Sequence, residues 1–408
     1  MSRRFARYSY FVAAMLVLLA GPACSITIDP FGAPAIPATI PAGPPSSTPG
    51  IIPPTIALAT VTPTAIPPSA TPAPAPVASP AIQNFKMLDA NNGWAVSSAN
   101  VLRTSDGGAT WLNVTPNGVA SLSYPAAFFM DAGRAWIVIP GADDTSGTLY
   151  RTQDGGSNWS SSPVAFAGGD LKFLDAQNGF ILVGLGGGAG SEAVAVFQTS
   201  DAGGTWTRNY VNDPGVSGAG TSLPLGGDKS GMTFRDATHG WVSGETPVDN
   251  LVYLYASGDG GHTWALQNVV LPPVDNAEFG ASAPIFFDQN TGVLPATIAA
   301  TSNSTLFFAT QDGGNTWMPT SSVPVFGKYS LVSATDAYVW DGGPILYVSH
   351  DGMFNWTQVH PNVTPGDNLS QIQFIDANTG WLLEMDASSH TSLYKTTDGG
   401  STWTALIP

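Results

Sequence analysis

The chain has one cysteine, Cys24, which excludes both an intramolecular disulfide framework and a cysteine metal cluster. Basic residues are scarce: 13 Lys and Arg stand against 29 Asp and Glu, a formal net charge of -16. A field of that sign repels a phosphate backbone, so nucleic acid is excluded as the expected partner. Five histidines occur, none in H-x-x-x-H spacing, and His239, His262 and His350 fall inside turn segments. Neither a metal site nor a cofactor is therefore expected, and no histidine is expected to be catalytic. A nucleophile elbow and a Walker loop are also missing. The run GLGGGAG, Gly184 to Gly190, lies between two strands with no helix after it and reads as a flexible hairpin rather than a phosphate loop.

What is abundant is glycine (46) and proline (34), the profile of a turn-rich β protein. Residues 1–24 read as an export signal, with Arg3, Arg4 and Arg7 before an apolar run from Phe11 to Ala20 and then GPAC. Ala23 followed by Cys24 resembles the lipobox of bacterial lipoproteins, which implies a lipid anchor on Cys24 and an extracytoplasmic, membrane-attached protein. Residues 25–81 follow as a linker; Pro30 to Pro80 holds 16 prolines, and no charge occurs between Asp29 and Lys86. Such a segment buries no core. At ~3.1 Å per residue in polyproline II it forms a stalk on the order of 150 Å when stiff.

From residue 82 onward one pattern recurs seven times, an Asp with a Trp five positions later. The pairs are Asp106 and Trp111, Asp154 and Trp159, Asp201 and Trp206, Asp259 and Trp264, Asp312 and Trp317, Asp351 and Trp356, and Asp398 and Trp403. The aspartates are 48, 47, 58, 53, 39 and 47 residues apart. A second motif precedes each pair, at Asp89, Asp131, Asp175, Asp236, Asp288, Asp376 and, in degenerate form, ATDAYVW at Asp336. This period predicts an all-β fold: a single seven-bladed propeller over 82–408 of four-stranded antiparallel blades a, b, c and d. The blades fall at about 82–117, 118–165, 166–212, 213–271, 272–323, 324–363 and 364–408. Each Asp-Gly favours a tight hairpin and each Asp bonds backbone in its own turn. The seven box tryptophans are expected to be buried between blades. With strand a starting near Ile82 and strand d ending at Leu406, no outer strand is left to clasp the first blade to the last, so closure is expected to rest on side-chain packing.

These units resemble the BNR or Asp-box superfamily and are most similar to the photosystem II stability and assembly factor family, whose units read FxDxxxGW and then LxRTxDGGxTW. The resemblance implies the same seven-bladed fold. That family is associated with an arginine-rich binding surface, whereas this chain keeps only 10 Lys and Arg after the signal. Sialidases and xyloglucanases share the box. A sialidase needs three converging arginines, an RIP sequence and a Tyr nucleophile backed by Glu; here Arg103 and Arg151 are repeat positions of strand c, RIP is missing and Glu is rare.

In a four-stranded blade the a-b and c-d turns share one rim, which the motifs occupy, while the b-c loops and d-to-a connections share the other. Function on a rigid scaffold concentrates in variable loops. Fourteen acids outside the motifs fall there. The candidate binding rim is Asp143, Asp144, Glu192, Asp213, Asp228, Glu245, Asp249, Asp275, Glu278, Asp367, Glu384 and Asp386, with Asp170 and Asp341 beside them and only Lys229 and Lys328 as cations. The expected function is a non-catalytic, surface-tethered scaffold that binds a protein or other ligand through this rim and acts as a monomer. The alternative is a glycan-binding or glycoside-hydrolase-like propeller.

Overall fold

A computed structural model describes residues 74–407 apart from 123, 124 and 275. Cys24, the export signal, most of the linker and Asp275 lie outside the described residues. Each of the seven repeats folds into an antiparallel meander, as in blade 1 with strands a (Ile82–Met87), b (Gly93–Ser97), c (Val101–Thr104) and d (Leu112–Asn113). Blades 4 and 5 form one nine-stranded sheet. A single bridge between Glu245, at the end of one strand b, and Gly280 of the next strand a joins them, and strand a of blade 5 is split in two.

The hairpins fold locally for a reason visible in the repeat. At the a-b turn, Asp89 Oδ1 accepts the backbone N–H groups of Asn91 and Asn92, both at 2.8 Å. Asp131, Asp175, Asp236, Asp288 and Asp376 do the same within 2.7–2.8 Å. Blade 6 corrects the sequence reading, because there Ser333, not Asp336, is the acceptor for N–H groups two and three residues on. Asp336 aligns with Asn92 and instead receives the Ser333 and Thr335 hydroxyls and His350 Nδ1. The register follows: Tyr338, not Trp340, stands where the other blades carry Trp94 or Trp136.

The core is a ring of seven interfaces rather than one mass. Each of seven apolar clusters joins two successive blades, and one of them unites Phe85, Met87 and Trp111 of blade 1 with Trp381, Leu383 and Leu393 of blade 7. In most of them the large residue that opens strand b stacks on the last aromatic of the next strand a. Trp136 lies 4.0 Å from Phe173, and the pairs Phe180 with Phe234 and Tyr338 with Phe374 lie at 3.6 Å. The box tryptophans enter the same interfaces from the other blade. Four of them (Trp111, Trp264, Trp317, Trp403) are buried, whereas Trp159, Trp206 and Trp356 are half-buried. The expectation of seven buried indoles thus holds for four; at the outer edge of the ring one side of an indole can meet water while the other packs.

Packing alone does not close the ring. Gln371 and Gln373, on strand a of blade 7 (Leu369–Phe374), use their amides as surrogate backbone for the first strand of blade 1. Gln371 accepts from Phe85 N and donates to Phe85 O; Gln373 does the same with Met87. A residue pair 286 positions apart in sequence is thereby paired as in a sheet. Trp381 Nε1 adds a bond to Gly107 O. Residues 75–77, which the sequence reading assigned to the stalk, pair antiparallel with strand d of blade 1 through Val77 N to Trp111 O and Asn113 N to Ala75 O.

Candidate functional site

On the motif rim every box is one and the same knot. In blade 4, Ser257 Oγ donates to Asp259 Oδ1 and accepts from Gly261 N, while Asp259 takes Thr263 N on Oδ1 and Thr263 Oγ1 on Oδ2. The other six aspartates repeat these bonds, with the Asn158 and Asn355 amides taking the place of the Thr hydroxyl at Asp154 and Asp351. The Ser or Thr two residues before the Asp recurs in all seven copies (Thr104, Thr152, Thr199, Ser257, Thr310, Ser349, Thr396), and its bonding role is a finding of the structure. The residue two after the Asp has φ between 66° and 94°, which suits Gly; only Met353 departs from it. Burial opposes ionisation of Asp259, but the hydroxyls and N–H groups aimed at it outweigh that and hold its carboxyl at about 2. These carboxylates are spent on their own turns.

Cations on this rim reach to the next blade. Arg151 Nη1 donates to Asp201 O and Ala202 O, Arg235 to Gly313 O, and Lys395 Nζ to Ala90 O. Arg103 and Arg151 are therefore far from a converging substrate-carboxylate clamp.

The variable rim is built differently. Asp143, Asp144, Asp213, Asp249, Asp341 and Asp386 stand in loops and Asp367 in the 3-10 turn Gly366–Asn368, whereas Asp170, Glu192, Asp228, Glu245, Glu278 and Glu384 sit on strands, at or near the strand ends facing this rim. Some are used locally: Asp143 closes its own turn on Thr145 N and Ser146 N, and Asp386 receives Ser388 N and His390 N. Among the described residues Asp144, Asp228, Asp249, Glu245, Glu278 and Asp367 take no side-chain hydrogen bond or ion pair. Both rims thus carry acids in similar number, and the difference between them lies in the cations.

The rim rises highest between blades 3 and 4. Strands b (Gly179–Gly188) and c (Ser191–Thr199) of blade 3 stay paired through the glycine run, so the segment is the hairpin expected, with a register shift between Gly184 and Gly186. The connection from 212 to 227 lies against it, with Glu192 N donating to Leu225 O and Gly227 N to Gly190 O. Lys229 fastens the two. Its Nζ donates to Glu192 O, Leu225 O and Gly227 O within 2.8–2.9 Å, and its backbone N–H donates to Glu192 Oε2. Burial pushes the Lys229 ammonium down to about 8 against the pull of Glu192 and Asp228. A cavity of about 490 Å³ opens in the connection, lined by Pro214, Val216, Leu223 and Leu225. Leu185, Leu225 and Val248 are exposed on these two blades.

A second cavity, about 950 Å³, occupies the axis of the ring between strands a of blades 1, 2, 3 and 7, with Ile285 of blade 5 across from them. Its one carboxylate among the described lining residues is Asp170, bound to Lys172 Nζ at 2.9 Å and to Met232 N at 2.8 Å.

No protein-family model matches the chain, and no curated protein matches it by sequence. Solved structures do. One described as YCF48 bound to D1 peptide is 17% identical with a TM-score of 0.52, covering 79% of this chain and 94% of that one. A GH74 xyloglucanase from Xanthomonas campestris is 13% identical with a TM-score of 0.57, covering 80% of this chain but only 54% of the enzyme. At these identities the likeness is one of fold, and it spans both a peptide-bound protein and a glycan-active enzyme. With its repeated knots and its ring of meanders, the chain has the fold of a β-propeller.

Proposed function

We propose that this chain is a non-catalytic binding scaffold that takes a protein segment on the variable rim of blades 3 and 4. The observation that carries the reading is the latched platform: two loop excursions of the variable rim are held together by a lysine whose ammonium sits among three backbone carbonyls. Such an arrangement uses a half-buried charge to hold loops in one shape, which lowers the entropy cost of binding on them. Exposed Leu185, Leu225 and Val248 supply apolar anchors, and Glu192, Asp213, Asp228, Glu245 and Asp249 surround them with negative charge. An apolar segment flanked by Lys or Arg is complementary to that surface. Against the glycan-hydrolase alternative stands the axial cavity, whose described lining holds one carboxylate, Asp170, already paired with Lys172, while a glycosidase needs two. Tethering through a lipid on Cys24 belongs to the same proposal and places the platform outside the cell.

The test is site-specific photo-crosslinking of the full chain in its membrane. A crosslinker replacing Leu225 is expected to trap a protein, and one replacing Asn315 on the motif rim to trap none. Lys229→Met removes the ammonium from its carbonyls, so it is expected to expose 212–227 to limited proteolysis and to abolish the Leu225 crosslink. Crosslinks from the motif rim alone, or glycan cleavage by the purified chain, overturn the reading.

A further inference from the structure

The axial cavity holds chemistry that the rim does not use. In a molecule with a formal net charge of -16, its walls carry two lysines, Lys86 and Lys172, and one carboxylate, Asp170. Lys172 is paired with Asp170. Lys86 donates to Phe129 O at 2.9 Å and lies 5.2 Å from the centre of the Phe128 ring, and no carboxylate pairs with it among the described residues. An ammonium has three N–H donors, so this one retains two beyond its bond to Phe129. Burial, with the nearby charge of Lys172 added, lowers the Lys86 pKa, which marks an ammonium short of a counter-ion.

The register fixes the depth of these groups. Strand a enters at the variable rim and ends at the motif rim. Gln83 and Asn84 stand early on it, whereas Lys86 is the last residue but one of Ile82–Met87, and Phe129 is the last residue of Ala126–Phe129. Lys172 is likewise the last residue but one of Asp170–Phe173. The cavity is therefore lined towards the variable loops by Met385 and Ser389, beside Glu384 and Asp386, and towards the motif rim by Lys86 and Lys172.

We propose that the axial cavity is a binding site for a small organic monocarboxylate, held through a charge-assisted bond to Lys86. The charge count selects one negative charge: the Lys172 and Asp170 pair cancels, leaving Lys86 in excess. The acids at the mouth disfavour a polyanion, which would pay repulsion on entry. An ammonium in a partly desolvated site bonds a carboxylate more strongly than it does a neutral amide. The site is independent of the platform on blades 3 and 4.

The experiment titrates the full chain with propionate, its neutral isostere propionamide, and sulfate, following the Cε resonances of 13C-labelled lysine. Propionate is expected to shift the Lys86 resonance and raise its pKa, with propionamide and sulfate inert. Lys86→Gln keeps a donor for Phe129 O and removes the charge; it is expected to weaken propionate binding at least tenfold. Asp170→Asn keeps an acceptor for Met232 N while freeing Lys172, and is expected to tighten binding several-fold. Lys395→Gln, on the motif rim, leaves binding unchanged. Circular dichroism and melting curves confirm that each variant is folded. Absence of a shift in the parent chain overturns the proposal, as does equal binding by folded Lys86→Gln. Sulfate binding as tight as propionate overturns the carboxylate selectivity and leaves an inorganic anion site.

Discussion

The two rims of this ring carry acids in similar number and put them to opposite uses. On the motif rim each box carboxylate is turned inward on its own hairpin, receiving two hydroxyl or amide side chains and a backbone N–H within four residues of itself. On the variable rim half a dozen acids bond nothing nearby, and Lys229, one of its few cations, is locked among carbonyls. A charge that satisfies local backbone stabilises a turn, and a charge left in water shapes the field a partner meets. Counting acids does not separate these roles, but following their hydrogen bonds does.

The comparison breaks most visibly at the motif side, where the knots support the interfaces. Trp381→Ala empties a fully buried indole site at the junction of blades 7 and 1 and removes a bond to Gly107. The expected cost is about 3–5 kcal/mol in chemical denaturation, against a change within about 0.5 kcal/mol for exposed Phe354→Ala. A smaller loss, about 1–2 kcal/mol, is expected for Asp259→Ala. Its pH dependence is signed: the folded pKa near 2 lies below the ordinary 3.8, so the contribution is complete above the ordinary value and fades as pH falls through the folded one. The melting-temperature gap between the parent chain and Asp259→Asn should therefore be widest near neutrality and narrow steadily towards pH ~2. The smallest effect belongs to the other rim. Asp144→Asn, Asp249→Asn and Glu278→Gln together are expected to move stability by less than about 0.5 kcal/mol each. The same changes should flatten the salt dependence of crosslinking at Leu225, and a large loss of stability would show that those acids are structural after all.

Much of this was legible in the sequence because it is local. The box and the a-b turn each fold through bonds spanning two to four residues, so their spacing survives in the linear pattern, as does the Ser or Thr that recurs before each box Asp. Blade 6 shows the limit. Likeness of letters points to Asp336 as the turn residue, whereas a serine three positions earlier performs the same bonding with one hydroxyl. The glycine run forms the hairpin its position between two strands implies, and only the structure shows its pairing, Gly184 with Val194 and Gly186 to Gly188 with Ala193, Glu192 and Ser191.

What the sequence determined by itself is the unit and its repetition: a carboxylate knot, a hydroxyl before it, a glycine where φ is positive, and a large apolar residue in phase with both. The tertiary structure alone decided how the ring shuts, with Gln371 and Gln373 standing in for backbone across 286 residues, and where Lys86, Lys172 and Asp170 come together on the axis. The physical reason is range. Bonds within a turn are written in neighbouring letters, whereas a closing seam and an axial cavity exist only after seven separate sheets have packed edge to edge.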